Sequence, residues 1–219
     1  MSILSNKKIE EYLANFSTNK DEKLVQLEAY AKEQKVPIME ERALSVMLHI
    51  LKLHQPNKIL EIGAAIGYSA IRMAKALPNT KIVTIEIDPH RFELAEQNIR
   101  ACGLENQITI YHGDALEIVQ EVKLDGPFDA LFIDASKGQY KRFFQAYEPL
   151  LSKRAVVFSD NVLFKGLVAE EMIESKRLKS LAKKIKEYNE WLMNQPDWDT
   201  VIIPIGDGLA FSIKRGEGE

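Results

Sequence analysis

The chain has 219 residues, of which 46% are apolar and 28% are charged, and its formal net charge is −3. These values are typical of a globular protein with one substantial core, and they argue against a large basic nucleic-acid-binding domain. The single cysteine excludes an intramolecular disulfide, and the sequence has no apolar run that would serve as a signal peptide or membrane span. We therefore expect one domain over residues 1–219, in the cytoplasm and without a membrane partner.

The first part of the chain has helical periodicity. Three such segments span residues 9–16, 21–34 and 40–54. In the third, Leu44, Met47 and Leu51 recur on one helix face. We expect residues 1–56 to form a helical N-terminal extension.

From residue 58 onward, apolar runs alternate with helical segments. The strand-like runs span residues 58–62, 81–86, 107–112, 128–134 and 155–160. The helical or turn-like segments span residues 67–77, 89–103, 115–122, 140–151 and about 173–194. This alternation predicts an α/β fold in which a doubly wound, Rossmann-like parallel sheet is covered by helices on both faces.

Two further strand-like runs, residues 200–205 and 209–214, close the sequence. Gly206, Asp207 and Gly208 separate them, which is a hairpin turn signal. The sheet of the α/β core, residues 57–215, should therefore gain an antiparallel C-terminal hairpin.

A glycine-containing turn follows the first strand of the predicted sheet. Glu61, Gly63 and Gly67 have the spacing E-x-G-x-x-x-G, whereas the dinucleotide fingerprint would need glycine where Ala65 and Tyr68 stand. Glycines let the backbone approach a ligand closely. A carboxylate at the end of this strand suits a ligand with an ammonium or sulfonium charge better than one with a pyrophosphate.

Acidic residues also stand at the ends of the next two strands. Glu86 ends the second strand, where an acid can accept both ribose hydroxyls of an adenosine. Asp114 and Ala115 follow the third strand and are placed to meet the adenine edge. An adenosine ligand with a cationic amino-acid tail is S-adenosylmethionine (SAM), and we predict a SAM site at this edge.

The fourth and fifth strands end in oxygen-bearing side chains. Asp134 ends the fourth, and Asp160 with Asn161 ends the fifth. Two carboxylates and an amide oxygen suit Mg²⁺ or another hard divalent cation, which lowers the pKa of a bound hydroxyl and orients it. Lys137 would take the hydroxyl proton or stabilise the oxyanion.

Together these residues resemble the cation-dependent O-methyltransferases, the family of the catechol and caffeoyl-CoA enzymes. The resemblance covers nearly the whole chain, and its motifs are EIGAAIGYSA, the acid after the second strand, GDA, D-x-x-K and DN. It implies a class I SAM-dependent methyltransferase fold and often a homodimer. It also implies metal ligands at Asp134, Asp160 and Asn161, catalytic roles for Lys137 and Asp134, and SAM contacts that include Glu61, Gly63, Ser69, Glu86 and Asp114.

Within this family, several segments are most similar to bacterial enzymes that act on 5-hydroxyuridine in tRNA. These segments are VPIMEERALSVMLHIL, IDASKGQYKRFF, DNVLFKGLVAE and NEWLMNQPDW. The resemblance implies formation of 5-methoxyuridine at the wobble position, the tRNA anticodon loop as partner, and Met39 in the SAM pocket. In 5-hydroxyuridine, O4 lies next to the 5-hydroxyl, a chelating pair like that of a catechol.

Direct sequence support for tRNA is confined to basic side chains. One face of the long helix carries Lys176, Lys179, Lys183 and Lys186, although a solvated helix face is the more common origin of such a pattern. Further cations are expected near the carboxyl end of the sheet or in loops, at Lys141, Arg142, Lys153, Arg154 and Lys165.

Three alternatives to a tRNA methyltransferase follow from the same residues. The first keeps the chemistry and changes the substrate to a small catechol-like phenol. The second is a nucleotide-binding regulatory protein, which the intact set of Asp134, Lys137, Asp160 and Asn161 disfavours. The third is a dehydrogenase, which the failed dinucleotide spacing disfavours.

Overall fold

The structure, a computed structural model, describes residues 7–14, 16 and 21–216. The chain forms two compact units that divide between Val36 and Pro37. The helix over residues 41–54, which the sequence assigns to the N-terminal extension, belongs to the second unit. None of the described helices is both long enough and apolar enough to cross a bilayer.

The first unit contains α1 (Lys7–Ala14) and α2 (Glu22–Glu33). Asp21 caps α2, because its carboxylate accepts a hydrogen bond of 2.9 Å from the Leu24 amide. Both helices were predicted, although Asn15, inside the predicted 9–16 segment, lies outside the described residues.

The second unit holds a seven-stranded sheet flanked by helices. Its strands are β1 (Lys58–Ile62), β2 (Lys81–Glu86), β3 (Ile108–His112), β4 (Phe128–Ile133), β5 (Leu151–Ser159), β6 (Trp198–Ile203) and β7 (Leu209–Lys214). Its helices are α3 (Glu41–His54), α4 (Tyr68–Ala76), α5 (Pro89–Ala101), α6 (Val119–Val122), α7 (Tyr140–Tyr147) and α8 (Lys176–Met193).

The strand order is β3-β2-β1-β4-β5-β7-β6. The first five strands are parallel, and β7 pairs antiparallel with both β5 and β6. This confirms the doubly wound sheet and its C-terminal hairpin. The order reverses between β1 and β4, and ligands in such sheets bind beyond the carboxyl ends of the strands at this point.

The central strands are apolar because both of their faces are covered. Leu60, Ile62, Leu131 and Ile133 are buried in a core cluster that also includes Phe144 of α7. Burial on both faces explains why β1 and β4 are almost uninterrupted apolar runs rather than alternating ones. The rigid sheet thereby holds the residues that follow each strand.

Several predicted boundaries were wrong. The helix predicted over 140–151 ends at Tyr147, and a 3₁₀ turn that contains Pro149 follows it. Proline cannot donate the next helical hydrogen bond, so the chain turns, and β5 begins at Leu151 by pairing with Phe128. Only Val119–Val122 of the predicted 115–122 segment is α-helical.

The early start of β5 also changes the placement of two basic residues. Lys153 and Arg154 lie inside β5 near its amino end, and not at the carboxyl end of the sheet. Asp134 and Asp160 each follow the last residue of their strand by one position. Their amides still extend the sheet, because they donate hydrogen bonds to Ile62 O (2.9 Å) and Ile133 O (3.1 Å).

Candidate active site

A cavity of about 500 Å³ opens at the carboxyl ends of the parallel strands. Residues that follow β1, β2, β3, β4 and β5 line it, together with the segment Pro37, Ile38 and Met39 before α3. Most of the predicted site residues are in this lining, namely Met39, Gly63, Ser69, Glu86, Asp114, Ala115, Asp134, Lys137 and Asn161. Among the described residues, Glu61, Gly67 and Asp160 are predicted site members that lie outside the lining.

The turn after β1 begins at Gly63, which needs to be glycine. Its φ is +105°, and a Cβ atom there would lie 2.2 Å from the carbonyl oxygen of Asp134. Its amide donates a hydrogen bond of 3.0 Å to Ile85 O. The absence of a side chain therefore lets the ends of β1 and β4 approach each other beside the cavity.

Gly67 has a structural place different from the predicted one. It is the N-cap of α4 with a φ of +82°, and its Cβ position would be 3.4 Å from the Cβ of Ala95 in α5. The residue therefore allows α4 to begin close to α5. It shapes the turn without facing the cavity.

Glu61 is fully buried behind the glycine turn. Its carboxylate accepts hydrogen bonds from the hydroxyls of Ser69 and Thr84, and Ser69 lines the cavity. Burial raises the pKa of Glu61 from 4.5 to about 7, the two hydroxyls lower it, and the charges of Asp134 and Glu86 raise it. A cationic ligand near this group would favour the ionised form.

Glu86 is buried at the end of β2, and backbone amides hold its carboxylate. Its Oε2 accepts from the Ala65 amide at 2.7 Å, and its Oε1 accepts from the Asp88 amide at 2.9 Å. Each carboxylate oxygen has a second lone pair, so the group can still accept hydroxyls from a ligand in the cavity. These amides fix its orientation in advance.

The adenine end of the predicted SAM site is formed after β3. Asp114 Oδ1 accepts a hydrogen bond of 2.8 Å from the Leu116 amide, and Ala115 O accepts one of 2.6 Å from the hydroxyl of Tyr147. Both residues line the cavity on a turn held from the outside by α7. Met39 lines the same cavity and is 4% exposed.

Asp134, Asp160 and Asn161 lie together because β4 and β5 are neighbours, with Ile133 paired to Ser159. Asp160 is 2% exposed, and its Oδ1 accepts a hydrogen bond of 2.7 Å from the Asn161 amide. Asn161 has a φ of +56°, which turns the chain sharply after β5. Asparagine tolerates this left-handed conformation better than most residues.

The two carboxylates are electrostatically linked. Burial raises the pKa of both Asp134 and Asp160, the charge of Asp134 raises that of Asp160 further, and Lys137 lowers both. Paired buried carboxylates are stabilised by a positive charge between or beside them. The site therefore favours a cation.

The donor set fits a hard divalent cation. Among residues 7–14, 16 and 21–216, no three His, Cys, Asp or Glu side chains form a metal-binding group, so the set consists of two carboxylates and an amide oxygen. Such oxygen donors suit Mg²⁺, which usually keeps several waters or substrate oxygens in its shell. Asp134, Asp160 and Asn161 would hold the ion.

Lys137 follows β4 and reaches the end of β5. Its ammonium group donates a hydrogen bond to Oδ1 of Asn161, and its side chain lines the cavity. A lysine at this place can hold a substrate hydroxyl, accept its proton or stabilise an oxyanion.

Sequence reasoning missed two residues that support this corner. The hydroxyl of the buried Tyr140 donates a hydrogen bond of 3.0 Å to Asp160 O. Asp207 lies close enough to Asp160 to raise its pKa. The only sequence signal for Asp207 was its place in a glycine-flanked turn, which predicted a hairpin and no role in the site.

Comparisons with known proteins agree with this geometry. A family model described as O-methyltransferase matches residues 14–215. A caffeoyl-CoA O-methyltransferase from Populus kitakamiensis is 32% identical over 181 residues, which cover 80% of this chain and 76% of the relative. A catechol O-methyltransferase from Niastella koreensis is 39% identical over 125 residues, but the match spans only 57% of that relative and 56% of this chain.

Solved structures extend the similarity to nearly the whole chain. A Staphylococcus aureus structure, provisionally described as a caffeoyl-CoA O-methyltransferase, has a TM-score of 0.90 and 36% identity, and the match covers 95% of this chain and 100% of that one. The O-methyltransferase TomG from Streptomyces achromogenes, solved in complex with SAM, has a TM-score of 0.81 and 27% identity, with coverage of 95% and 96%. The chain therefore belongs to the SAM-dependent O-methyltransferase family of the caffeoyl-CoA and catechol type.

Proposed function

We propose that this protein is a Mg²⁺- and SAM-dependent O-methyltransferase that converts 5-hydroxyuridine to 5-methoxyuridine at the tRNA wobble position. The reaction type follows from the family. The metal requirement is supported by the donor set of Asp134, Asp160 and Asn161 beside Lys137. The RNA substrate is an additional proposal, and the distribution of basic side chains supports it.

The observation that carries the RNA substrate is the charge of α8. This helix has six basic and two acidic residues in a chain whose net charge is −3. Lys176, Lys179, Lys183 and Lys186 are all exposed, while Ile185 and Tyr188 are buried on the opposite side. The basic face is therefore free to meet phosphates.

This basic face adjoins the substrate end of the cavity. A Cβ atom at Gly138 would lie 3.6 Å from Nζ of Lys184, and Gly138 stands between the cavity-lining residues Lys137 and Gln139. Arg142 donates a hydrogen bond of 3.0 Å to the side chain of Gln139. Cations at this rim suit a polyanion whose reactive base enters the cavity.

A wobble base is suited to such a site because it lies in a single-stranded loop and can be splayed into a pocket. The 5-hydroxyl and O4 of 5-hydroxyuridine are adjacent oxygens that can share one cation. When bound, a divalent ion supplies acidity to such a hydroxyl and fixes its direction. Lys137 would receive the proton or stabilise the charge at that oxygen.

Binding of SAM would use the other end of the cavity. Glu86 would accept the ribose hydroxyls, while the Asp114 turn would meet the adenine. Glu61, through Ser69, would favour the cationic amino-acid end. The methyl group would then point toward the corner of Asp134 and Lys137.

A second candidate is a small catechol-like phenol. The relatives named catechol and caffeoyl-CoA O-methyltransferase favour it, since a catechol presents the same pair of adjacent oxygens. Such a substrate would need the cavity but not the basic face of α8.

One assay distinguishes the two substrates. The protein is incubated with Mg²⁺ and methyl-labelled SAM, and with either catechol or tRNA that carries 5-hydroxyuridine. The proposal expects label in the tRNA at low tRNA concentration and much slower methylation of catechol. Rapid labelling of catechol with unlabelled tRNA would contradict the RNA substrate and favour the phenol.

A further inference from the structure

The turn over residues 206–208 joins β6 to β7 and also contacts the chain that follows Asn161. The Val162 amide donates a hydrogen bond of 3.0 Å to Gly208 O, and the Leu163 amide donates one of 2.9 Å to Asp207 O. In addition, the Asp207 carboxylate accepts a hydrogen bond from the Lys165 amide. The hairpin turn therefore holds three amides directly after the predicted metal ligands.

The segment that the turn holds has an unusual backbone. Asn161, Phe164 and Lys165 have φ values of +56°, +47° and +54°, although none of them is glycine. Side-chain-bearing residues in this region cost of order 1 kcal/mol or more each, and persist when surrounding contacts hold them there. The hydrogen bonds from Asp207 and Gly208 are contacts of this kind.

Close packing shows that the turn and this segment fit each other tightly. Gly208 has a φ of +88°, and a Cβ atom there would lie 2.4 Å from Cγ and 2.8 Å from the amide nitrogen of Leu163. No side chain can be placed at this point without moving one of the two backbones. The fit is therefore specific to glycine.

The same turn contacts the start of α3 on its other side. A Cβ atom at Gly206 would lie 3.1 Å from Cβ of Ala43 and 3.3 Å from Cβ of Glu40. Glu40 directly follows Met39, which lines the cavity. The turn thus lies between two cavity walls, one with Met39 and the other with Asn161.

Other elements hold the remaining side of the Asp160–Asn161 corner. The Tyr140 hydroxyl donates to Asp160 O, and Nδ2 of Asn189 in α8 donates a hydrogen bond of 2.8 Å to Val162 O. Asp207 opposes these two contacts from the hairpin. With the carboxylate of Asp207 removed, the Lys165 amide loses its acceptor, and the strained segment is free to relax.

We propose that Asp207 is a positioning residue for cation binding: through the backbone after Asn161, it keeps the side chains of Asp160 and Asn161 in the arrangement that binds the metal. Asp207 itself is not a ligand in this account. The inference rests on the proposed metal dependence and assigns a role to a residue far from the other ligands in sequence.

The test is Mn²⁺ binding in the absence of substrate, measured by titration calorimetry or by the spectrum of free Mn²⁺. Asp207→Ala is compared with the wild-type protein, and the affinity for SAM is measured in metal-free buffer on the same samples. We expect Asp207→Ala to weaken Mn²⁺ binding by about tenfold or more, the effect typical of residues that orient metal ligands. The SAM affinity should be unchanged.

Two further variants separate positioning from charge. Asp207→Asn keeps an oxygen acceptor for the Lys165 amide, and we expect it to retain most of the Mn²⁺ affinity. Asp199→Ala removes a carboxylate from an exposed position in β6 of the same hairpin, and should bind Mn²⁺ like the wild-type protein.

Equal Mn²⁺ affinity of Asp207→Ala and the wild-type protein would overturn the inference. So would an equal loss in Asp207→Asn, because the effect would then come from charge, or a parallel loss of SAM binding, which would indicate general damage to the fold. If the wild-type protein binds no Mn²⁺, the proposed metal dependence is wrong, and this inference falls with it.

Discussion

The ammonium group of Lys137 donates a hydrogen bond to Oδ1 of Asn161, so the cation that follows β4 meets the amide that follows β5. The two residues are brought together by the pairing of Ile133 with Ser159. The same pairing places Asp134 and Asp160 next to each other. One strand pair therefore assembles the proposed catalytic lysine and all three proposed metal ligands.

Lys137 should act in the chemical step rather than in SAM binding. We expect Lys137→Met to lower kcat by about 100-fold or more, the range for a residue that moves a proton in the transition state. The affinity for SAM, measured by calorimetry, should not change. Lys52→Met, which removes an exposed lysine from α3, is the matched control. A kcat like that of the wild-type protein would remove Lys137 from the mechanism.

Glu61 should make the stability of the ligand-free protein depend on pH. Its pKa is raised from 4.5 to about 7, so the folded state binds a proton more tightly than the unfolded state does. The corresponding stability is present below pH 4.5 and is lost as the pH rises toward 7 and above. From pH 5 to pH 8 the loss is about 2 kcal/mol, at 1.36 kcal/mol per pKa unit.

Urea unfolding of the wild-type protein and Glu61→Gln at these two pH values measures this term. The free energy of unfolding of the wild-type protein should fall more steeply with pH than that of the variant. Asp134 and Asp160 also titrate, but they are present in both proteins. Parallel pH profiles would contradict a raised pKa at Glu61.

Gly63 should tolerate no side chain. In Gly63→Ala the new Cβ would meet Asp134 O at 2.2 Å, and the positive φ adds backbone strain. We expect a marked loss of thermal stability and of SAM binding. Gly103→Ala is the control, because Gly103 also has a positive φ, of +69°, but nothing lies within 4 Å of its Cβ position. Equal effects of the two substitutions would show that the contact with Asp134 is unimportant.

The basic face of α8 should determine affinity for tRNA. Replacing Lys179, Lys183 and Lys186 with Gln should weaken tRNA binding and reduce the slope of log K against log salt by about 2, since each lost phosphate contact contributes nearly one. Binding is measured over a salt series by fluorescence anisotropy. The affinity for SAM should be unchanged.

A second triple variant controls for net charge. Lys52, Lys81 and Lys123 are exposed lysines outside α8, and their replacement with Gln removes the same charge. If both triple variants bind tRNA with the same salt slope, the face of α8 is only a solvated helix surface.

The sequence predicted the parts of the site that follow from the sheet itself. Glu86, Asp134 and Asp160 were recognisable because carboxyl ends of parallel strands meet at one edge, and acids there are unusual. Gly63 was recognisable because a tight turn needs it. These residues depend only on strand order and on local conformation.

Other features depend on contacts between segments distant in sequence. Gly67 packs against Ala95, and Asp207 reaches the segment after Asn161 because β7 is inserted next to β5. Neither contact follows from periodicity or spacing. The end of α7 at Tyr147 also depends on the pairing of Leu151 with Phe128, which helical propensity alone does not reveal.

The most direct test of the proposed mechanism is methyl transfer from labelled SAM to tRNA that carries 5-hydroxyuridine, after removal of divalent ions with EDTA. We expect the transfer to stop in EDTA and to return when Mg²⁺ is added in excess, while SAM binds equally well in both conditions. Asp134→Ala should remain inactive after Mg²⁺ is restored. An unchanged rate of methyl transfer in EDTA would contradict the assignment of Asp134, Asp160 and Asn161 as ligands of a required cation.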